Sequence, residues 1–267
     1  MPRQPVLPVY CAALFAPLMA DVMTVQLQPR TVEAFDAYMR GADERFQRRL
    51  HAGPFLWVDG SPERKRQVLA GKVIAEPYGG RGEIAVADGL IHDWIGAAFA
   101  PGTTMARTLA LVQNYNHHAD VYKPEQLASR LISRHGEDFH IYMRLLKKQI
   151  LTVVLDTEHD VRYTKINDTE WYSRSRTTSI REVENPGEPK EHDLPAGTDH
   201  GFLWRLETWW RFAQRDGGVY IECEAISLTR DVPTGLGWII NPIIRSLPRE
   251  SMVNTLKHTK AALSSKQ

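Results

Sequence analysis

GFLWRLETWWRFAQRDGGVYIECEAISLTR, residues 201–230, decides how this chain is built. Two runs of strand length flank Arg215-Asp216-Gly217, and both alternate with a period of two. In the first run Phe202, Trp204, Leu206, Thr208, Trp210 and Phe212 share one face. Leu203, Arg205, Glu207, Trp209 and Arg211 share the other. In the second run Val219, Ile221, Cys223 and Ala225 alternate with Tyr220, Glu222 and Glu224. A hairpin with one apolar and one charged face belongs to an antiparallel sheet that covers a core on one side only. Arg205 and Arg211 opposite Glu222 and Glu224 then read as a cross-strand charge ladder on the solvent side.

Downstream, DVPTGLG leads into an apolar tail with Ile239, Ile240, Ile243, Ile244 and Leu247. Pro248 starts a second helical piece there, with Met252, Leu256, Thr259 and Leu263 along one stripe. Upstream, residues 82–99 read as strand, Asp88-Gly89 turn, strand. Pro101-Gly102 ends that hairpin, and Thr103 or Thr104 caps a helix running to about Tyr115. Residues 128–134 and 138–146 form a hairpin around His135-Gly136-Glu137. Residues 150–156 and 161–166 are one strand or a pair. Residues 171–184 alternate too, but Ser173, Arg174, Ser175, Arg176, Thr177, Thr178 and Ser179 make this strand polar on both faces. It reads as an edge strand whose polarity discourages association. Inward-facing hydroxyls that anchor a ligand are the alternative. Residues 185–198 are a long loop, and 31–50 a helix with Thr31 as N-cap and Val32, Phe35, Tyr38, Met39, Phe46 and Leu50 as its stripe.

The totals exclude several classes. The chain of 267 residues is 43% hydrophobic and 24% charged, enough for a sizeable core. A net charge of +1 argues against a broad grip on nucleic acid. Cys11 and Cys223 are too few and too far apart for a disulfide framework or a zinc-ligand set, and Cys223 reads as a small core residue. His92, His140 and His117-His118-x-Asp120 lack metal-site spacing and read as solvated or capping groups, so no metal and no cofactor is expected. Asp199-His200 reads as a loop-terminal polar pair, and the acidic run Asp156–Asp160 as an exposed strand bend. Gly79-Gly80-Arg81-Gly82 has neither phosphate-loop nor dinucleotide spacing and reads as a turn. Arg3 before PVLPVYCAALFAPLMA resembles a weak secretory signal. Three prolines, one positive charge and a poor cleavage context argue against export and place a cytoplasmic chain ahead of it.

The order of strands, helix, further strands and a long terminal helix resembles the START and polyketide-cyclase-like superfamily, the helix-grip fold shared with birch-pollen-type allergens. AAFAPGTTMARTLALVQNY (97–115), the strand series to Glu184 and GGVYIECEAISLTRDVPTGLG…PRESMVNTLKHTKAAL carry the resemblance, with Arg230-Asp231-Val232-Pro233 at the entry to the gripping helix. It implies an α+β domain over residues 82–265. A curved antiparallel sheet of about seven strands wraps the C-terminal helix, and residues 1–80 form an N-terminal helical extension. It also implies a cavity for a hydrophobic small molecule or lipid, bound, sequestered or transferred. Phe202, Trp204, Leu206, Trp210 and Phe212 would line it, with Trp94 and the helix residues Ile239 and Ile243. Transient membrane contact and a monomer or weak dimer are the matching partner expectations. A cyclase or aromatase-type enzyme using the same cavity and a non-catalytic interaction module are the alternatives. An enzyme would show an inward acid or base, a carrier nearly uniform apolar walls, and an interaction module a filled core.

Overall fold

The computed structural model describes residues 24–148, 152–231 and 237–265, with the backbone alone for 237–246. Its strands are β1 (Val25–Gln26), β2 (Ile74–Pro77), β3 (Glu83–Val86), β4 (Gly89–Pro101), β5 (Gln126–His135) and β6 (Asp138–Lys148). They continue with β7 (Thr152–Asn167), β8 (Glu170–Glu184), β9 (His192–Asp193), β10 (Thr198–Asp199), β11 (Arg205–Arg215) and β12 (Gly218–Arg230). The helices are α1 (Pro29–Ala52), α2 (Pro62–Leu69), α3 (Met105–Val112), α4 (His118–Val121) and α5 (Gly237–Ser264). A ten-stranded antiparallel sheet runs β2-β4-β12-β11-β8-β7-β6-β5, with β3 also on β4 and β9 on β8. The short strands β2 and β9, which the sequence reading did not include, raise the count above the expected seven. The hairpin turns follow local chemistry: Asp216 and Gly217 both adopt positive φ, as a two-residue turn between twisted strands requires.

One face of the sheet receives α5. Met252, Leu256 and Leu263 join Trp94, Ala98, Phe212, Ile221 and Cys223 in one core cluster. Gly96 sets how closely the helix approaches, because a Cβ there would sit 2.8 Å from both Leu256 and Met252. The other face receives α1. Phe35, Met39, Ala42 and Phe46 recur at helical spacing and pack on Ile91, Trp209, Ile226 and Leu228.

This second cover overturns the solvent-side charge ladder. Arg211, Glu222 and Glu224 are 0%, 1% and 3% exposed. Glu222 accepts from Arg49 of α1 at 2.5 Å, from Arg211 at 3.2 Å and from the Trp57 backbone at 2.5 Å. Arg205 stays apart, donating to the Trp204 carbonyl at 2.9 Å. Alternation tells which side chains share a face; it does not tell what covers that face. The cover comes from residues more than a hundred positions earlier, and it brings its own arginines.

Other expectations change for similar reasons. β8 is an interior strand between β7 and β11. Its outward Arg174 and Arg176 pair with Glu207, and Arg174 also with Asp43. Asp156 is buried against Arg144 and Tyr142 inside the continuous β7. Thr31 sits inside α1, not at its cap, and donates to the Ala87 carbonyl at 2.7 Å. α5 runs unbroken through Pro248, forgoing the one bond a proline cannot make. The signal-like segment 1–20 and the Val232-Pro233 junction lie outside the described residues.

Candidate functional site

Between the inner face of the sheet and α5 lies a cavity of about 790 Å³. Strand register arranges its main wall in rows. One row is Trp94, Ala225, Thr208, Ser175 and Val161; the next is Gly96, Cys223, Trp210, Ser173 and Tyr163. Val112 of α3, His118 of α4 and Leu247, Met252 and Thr255 of α5 add further lining. On β11 and β12 the outward Glu207, Trp209, Ile226 and Leu228 are buried, whereas the inward Leu206, Thr208, Trp210, Ala225 and Ser227 are only half-buried. The less covered face is the one that looks at the cavity.

Phe202, Leu206, Trp210, Phe212 and Trp94 line this space. Trp204 does not. It packs on the α1 side with Phe35 and Trp209, and its Nε1 donates to Asp199 Oδ1 at 2.9 Å. β11 begins only at Arg205, and Gly201 has φ of +71°, so the parity of the strand does not extend back to residue 204. The side chains of Ile239 and Ile243 lie outside the described residues. Cys223 is a buried core residue that also faces the cavity, and burial raises its thiol so that it stays protonated.

Three histidines read from the sequence as solvated or capping groups, or as part of an exposed strand bend, are buried instead. His92, His118 and His159 are 1%, 7% and 2% exposed and line the cavity. Burial pushes each down to about 4, so each is neutral near pH 7. Their neighbours fix their tautomers. Thr157 donates to the Met143 carbonyl at 3.0 Å, so its oxygen accepts from His159 Nε2, also at 3.0 Å. His159 Nδ1 then faces the Ser175 hydroxyl at 3.4 Å. His118 Nε2 donates to the Val112 carbonyl at 3.1 Å, which also accepts from Tyr163 at 3.0 Å, and Tyr115 donates to Tyr163 at 2.9 Å. For His92 the signal was its place two residues before Trp94, hence on the same face. His117 is exposed, and His140 sits at the surface beside Asp160 at 2.8 Å. His200 is half-buried and bonds Glu182 at 2.8 Å, while Asp199 is buried.

Among the described residues two cations also line the space, at the ends of β6 and β12. Lys147 donates to Ser251 at 2.5 Å, and burial lowers its pKa. Arg230 donates to the His200 carbonyl at 3.1 Å. Among the described residues no three His, Cys, Asp or Glu side chains gather into a metal-binding set.

No family model matches the chain, and no curated protein does. Solved structures do. A STAR-related lipid transfer protein from Xanthomonas axonopodis is 15% identical, with a TM-score of 0.47, covering 69% of this chain and all of that one. Zhui aromatase/cyclase from Streptomyces sp. R1128 is 7% identical with a TM-score of 0.43, covering 64% of this chain and 92% of its own. Human STARD10 is 12% identical with a TM-score of 0.41, covering 67% and 73%. All three TM-scores lie below 0.5, and these likenesses say nothing of what this chain binds.

Proposed function

We propose that this protein binds a hydrophobic small molecule or lipid in the cavity between the sheet and α5, and holds or carries it without chemical change. The observation that carries this reading is the unfilled space of about 790 Å³ behind half-buried Leu206, Trp210 and Ala225. Cores pack to the density of organic crystals, so a void of this size under a continuous sheet is a receptacle. It also sets the protein apart from an interaction module with a filled core. Apolar contact supplies most of the affinity, at roughly 25 cal/mol per Å² before the costs of association. Glu125 and Lys147 also face the space, while the three inward imidazoles are held near pKa 4, poorly matched to proton transfer near pH 7.

The neutral dye N-phenyl-1-naphthylamine tests the reading. Saturable one-to-one fluorescence enhancement is expected, and Ala225→Trp, which fills the cavity from β12, abolishes it while the thermal transition is kept. Equal dye binding by a folded Ala225→Trp variant, or no saturable binding by the wild-type chain, would overturn it. Mass spectrometry of an extract of the purified protein would then name the natural occupant.

A further inference from the structure

The polar chemistry of the ligand is written on β4. His92 and Trp94 stand two apart on this strand, both on the inner face and both lining the cavity. Their Cα atoms are thus roughly 7 Å apart. Thr229 Oγ1 donates its one hydrogen to the Arg230 carbonyl at 3.3 Å and lies 3.0 Å from His92 Nε2. A hydroxyl whose hydrogen is committed can only accept, so Nε2 carries the imidazole hydrogen. His92 Nδ1 is left as a lone-pair acceptor, buried and without a partner among the described residues. Trp94 Nε1, a donor only, is likewise buried without a partner among them. Ser227 is the cross-strand partner of His92 and lines the same cavity, and its hydroxyl makes no hydrogen bond among the described residues.

Buried polar groups are nearly always satisfied in a folded interior. An orphan acceptor and an orphan donor on one wall call for a guest that does both. We propose that His92, Trp94 and Ser227 form a hydroxyl-recognition site, and that the ligand is an apolar molecule carrying an uncharged alcohol or phenol group. This rests on the cavity-binding reading and names its ligand class. The guest's O–H donates to His92 Nδ1, and its oxygen accepts from Trp94 Nε1 or Ser227. An ether or ester accepts but leaves Nδ1 unpaired. A carboxylate sets its charge against that lone pair, and burial keeps His92 from becoming a cation to meet it. Lys147 and Arg230, the cations among the described lining residues, already have acidic neighbours, Glu125 and Glu250 for Lys147 and Glu182 for Arg230.

Three probes of one shape test the proposal: 4-nonylphenol, its methyl ether and 4-nonylbenzoate, titrated into the full chain at pH 7 by tryptophan fluorescence. The phenol is expected to bind about tenfold tighter than the ether, and the benzoate weakest. His92→Phe should erase the phenol's advantage and leave the ether's affinity within about threefold. The ether alone reports whether the cavity takes apolar guests. If it binds as well as the phenol, or the benzoate binds best, the hydroxyl site falls and the cavity reading stands; if no probe binds, both fall. ¹⁵N NMR of the wild-type chain gives an answer that does not depend on the variant. His92 should be the Nε2–H tautomer, with an Nδ1 resonance that shifts with the phenol and not with the ether. An Nδ1–H tautomer in the free protein would overturn the site.

Discussion

Asp93 and Trp94 are adjacent in sequence, and β4 sends them to opposite faces of the sheet. Asp93 accepts from Tyr38 and Arg45 of α1 at 2.6 and 3.0 Å, sealed under that helix. Trp94 lines the cavity under α5. β12 repeats the contrast one strand over, with Glu222 and Glu224 outward and Cys223 and Ala225 inward. The outer face therefore buries charge against charge, while the inner face is mostly apolar and neutral and keeps room for a guest. The covering helix makes the difference. α1 brings Arg45 and Arg49 to the carboxylates, whereas α5 lays Met252 and Leu256 over the glycine at position 96. A buried ion network loses much if one member is removed, so the α1 face serves as the rigid back of the receptacle.

The largest effect should come from breaking that network. Glu222→Ala leaves Arg49 and Arg211 without their shared carboxylate and the Trp57 amide without its acceptor. A loss of about 3–5 kcal/mol in urea unfolding is expected. A loss under about 1 kcal/mol would mean that the buried charges do not fix α1 to the sheet. On the opposite face, Gly96→Ala should cost about 1–3 kcal/mol by pushing α5 outward, because its new methyl meets Met252 and Leu256. A neutral result there would show that α5 moves freely over the cavity, and that the two faces differ in stiffness as well as charge.

The faces should also respond to pH in opposite senses. Burial lowers His92, His118 and His159 from the usual 6.5 to about 4. Between those values the unfolded chain takes up protons that the folded chain refuses. Stability therefore rises with pH across this window, by roughly 1.4 kcal/mol per unit for each histidine. Burial beside Asp93 raises Glu224 on the outer face. Above the ordinary carboxylate range the unfolded chain has lost that proton while the folded chain keeps it, so this group's contribution falls as pH rises. Urea midpoints from pH 4.5 to 6.5 should show a positive slope, shallower in His159→Phe and steeper in Glu224→Gln. Identical slopes in all three chains would erase the contrast.

Residues 201–230 carried the architecture plainly, because period-two alternation and an Asp-Gly turn are local signals. The cavity residues Leu206, Trp210 and Phe212 were legible for the same reason. Trp204 was not, since its face depends on where the strand begins, and that is set by Gly201 and by the pairing of Trp204 with Leu228 across the sheet. The buried state of Arg211 and Glu222 was hidden because their partner Arg49 lies 173 residues from Glu222. His92 and His159 carry no motif at all. Only the register that sets His92 beside Ser227, and the bulge between Glu158 and His159, place them on the cavity wall.

The smallest effect belongs to a pair that looks like the outer network in sequence and differs from it in burial. Arg30 and Arg49 both stand on α1, and each meets one carboxylate of the sheet region. Arg30 pairs with Asp88, with side chains 67% and 45% exposed, whereas Arg49 and Glu222 are 13% and 1% exposed. Water screens the first pair and its two side chains give up rotamer freedom to form it, so Arg30→Ala should change stability by less than about 1 kcal/mol and become undetectable at high salt. Arg49→Ala should instead cost several kcal/mol at any ionic strength, because it takes from buried Glu222 one of its two arginines and leaves Arg211 and the Trp57 amide as its remaining partners. If the two variants proved equally mild, α1 would be a loosely held cover, and the back of the receptacle would owe its stability to Phe35, Met39 and Phe46 alone.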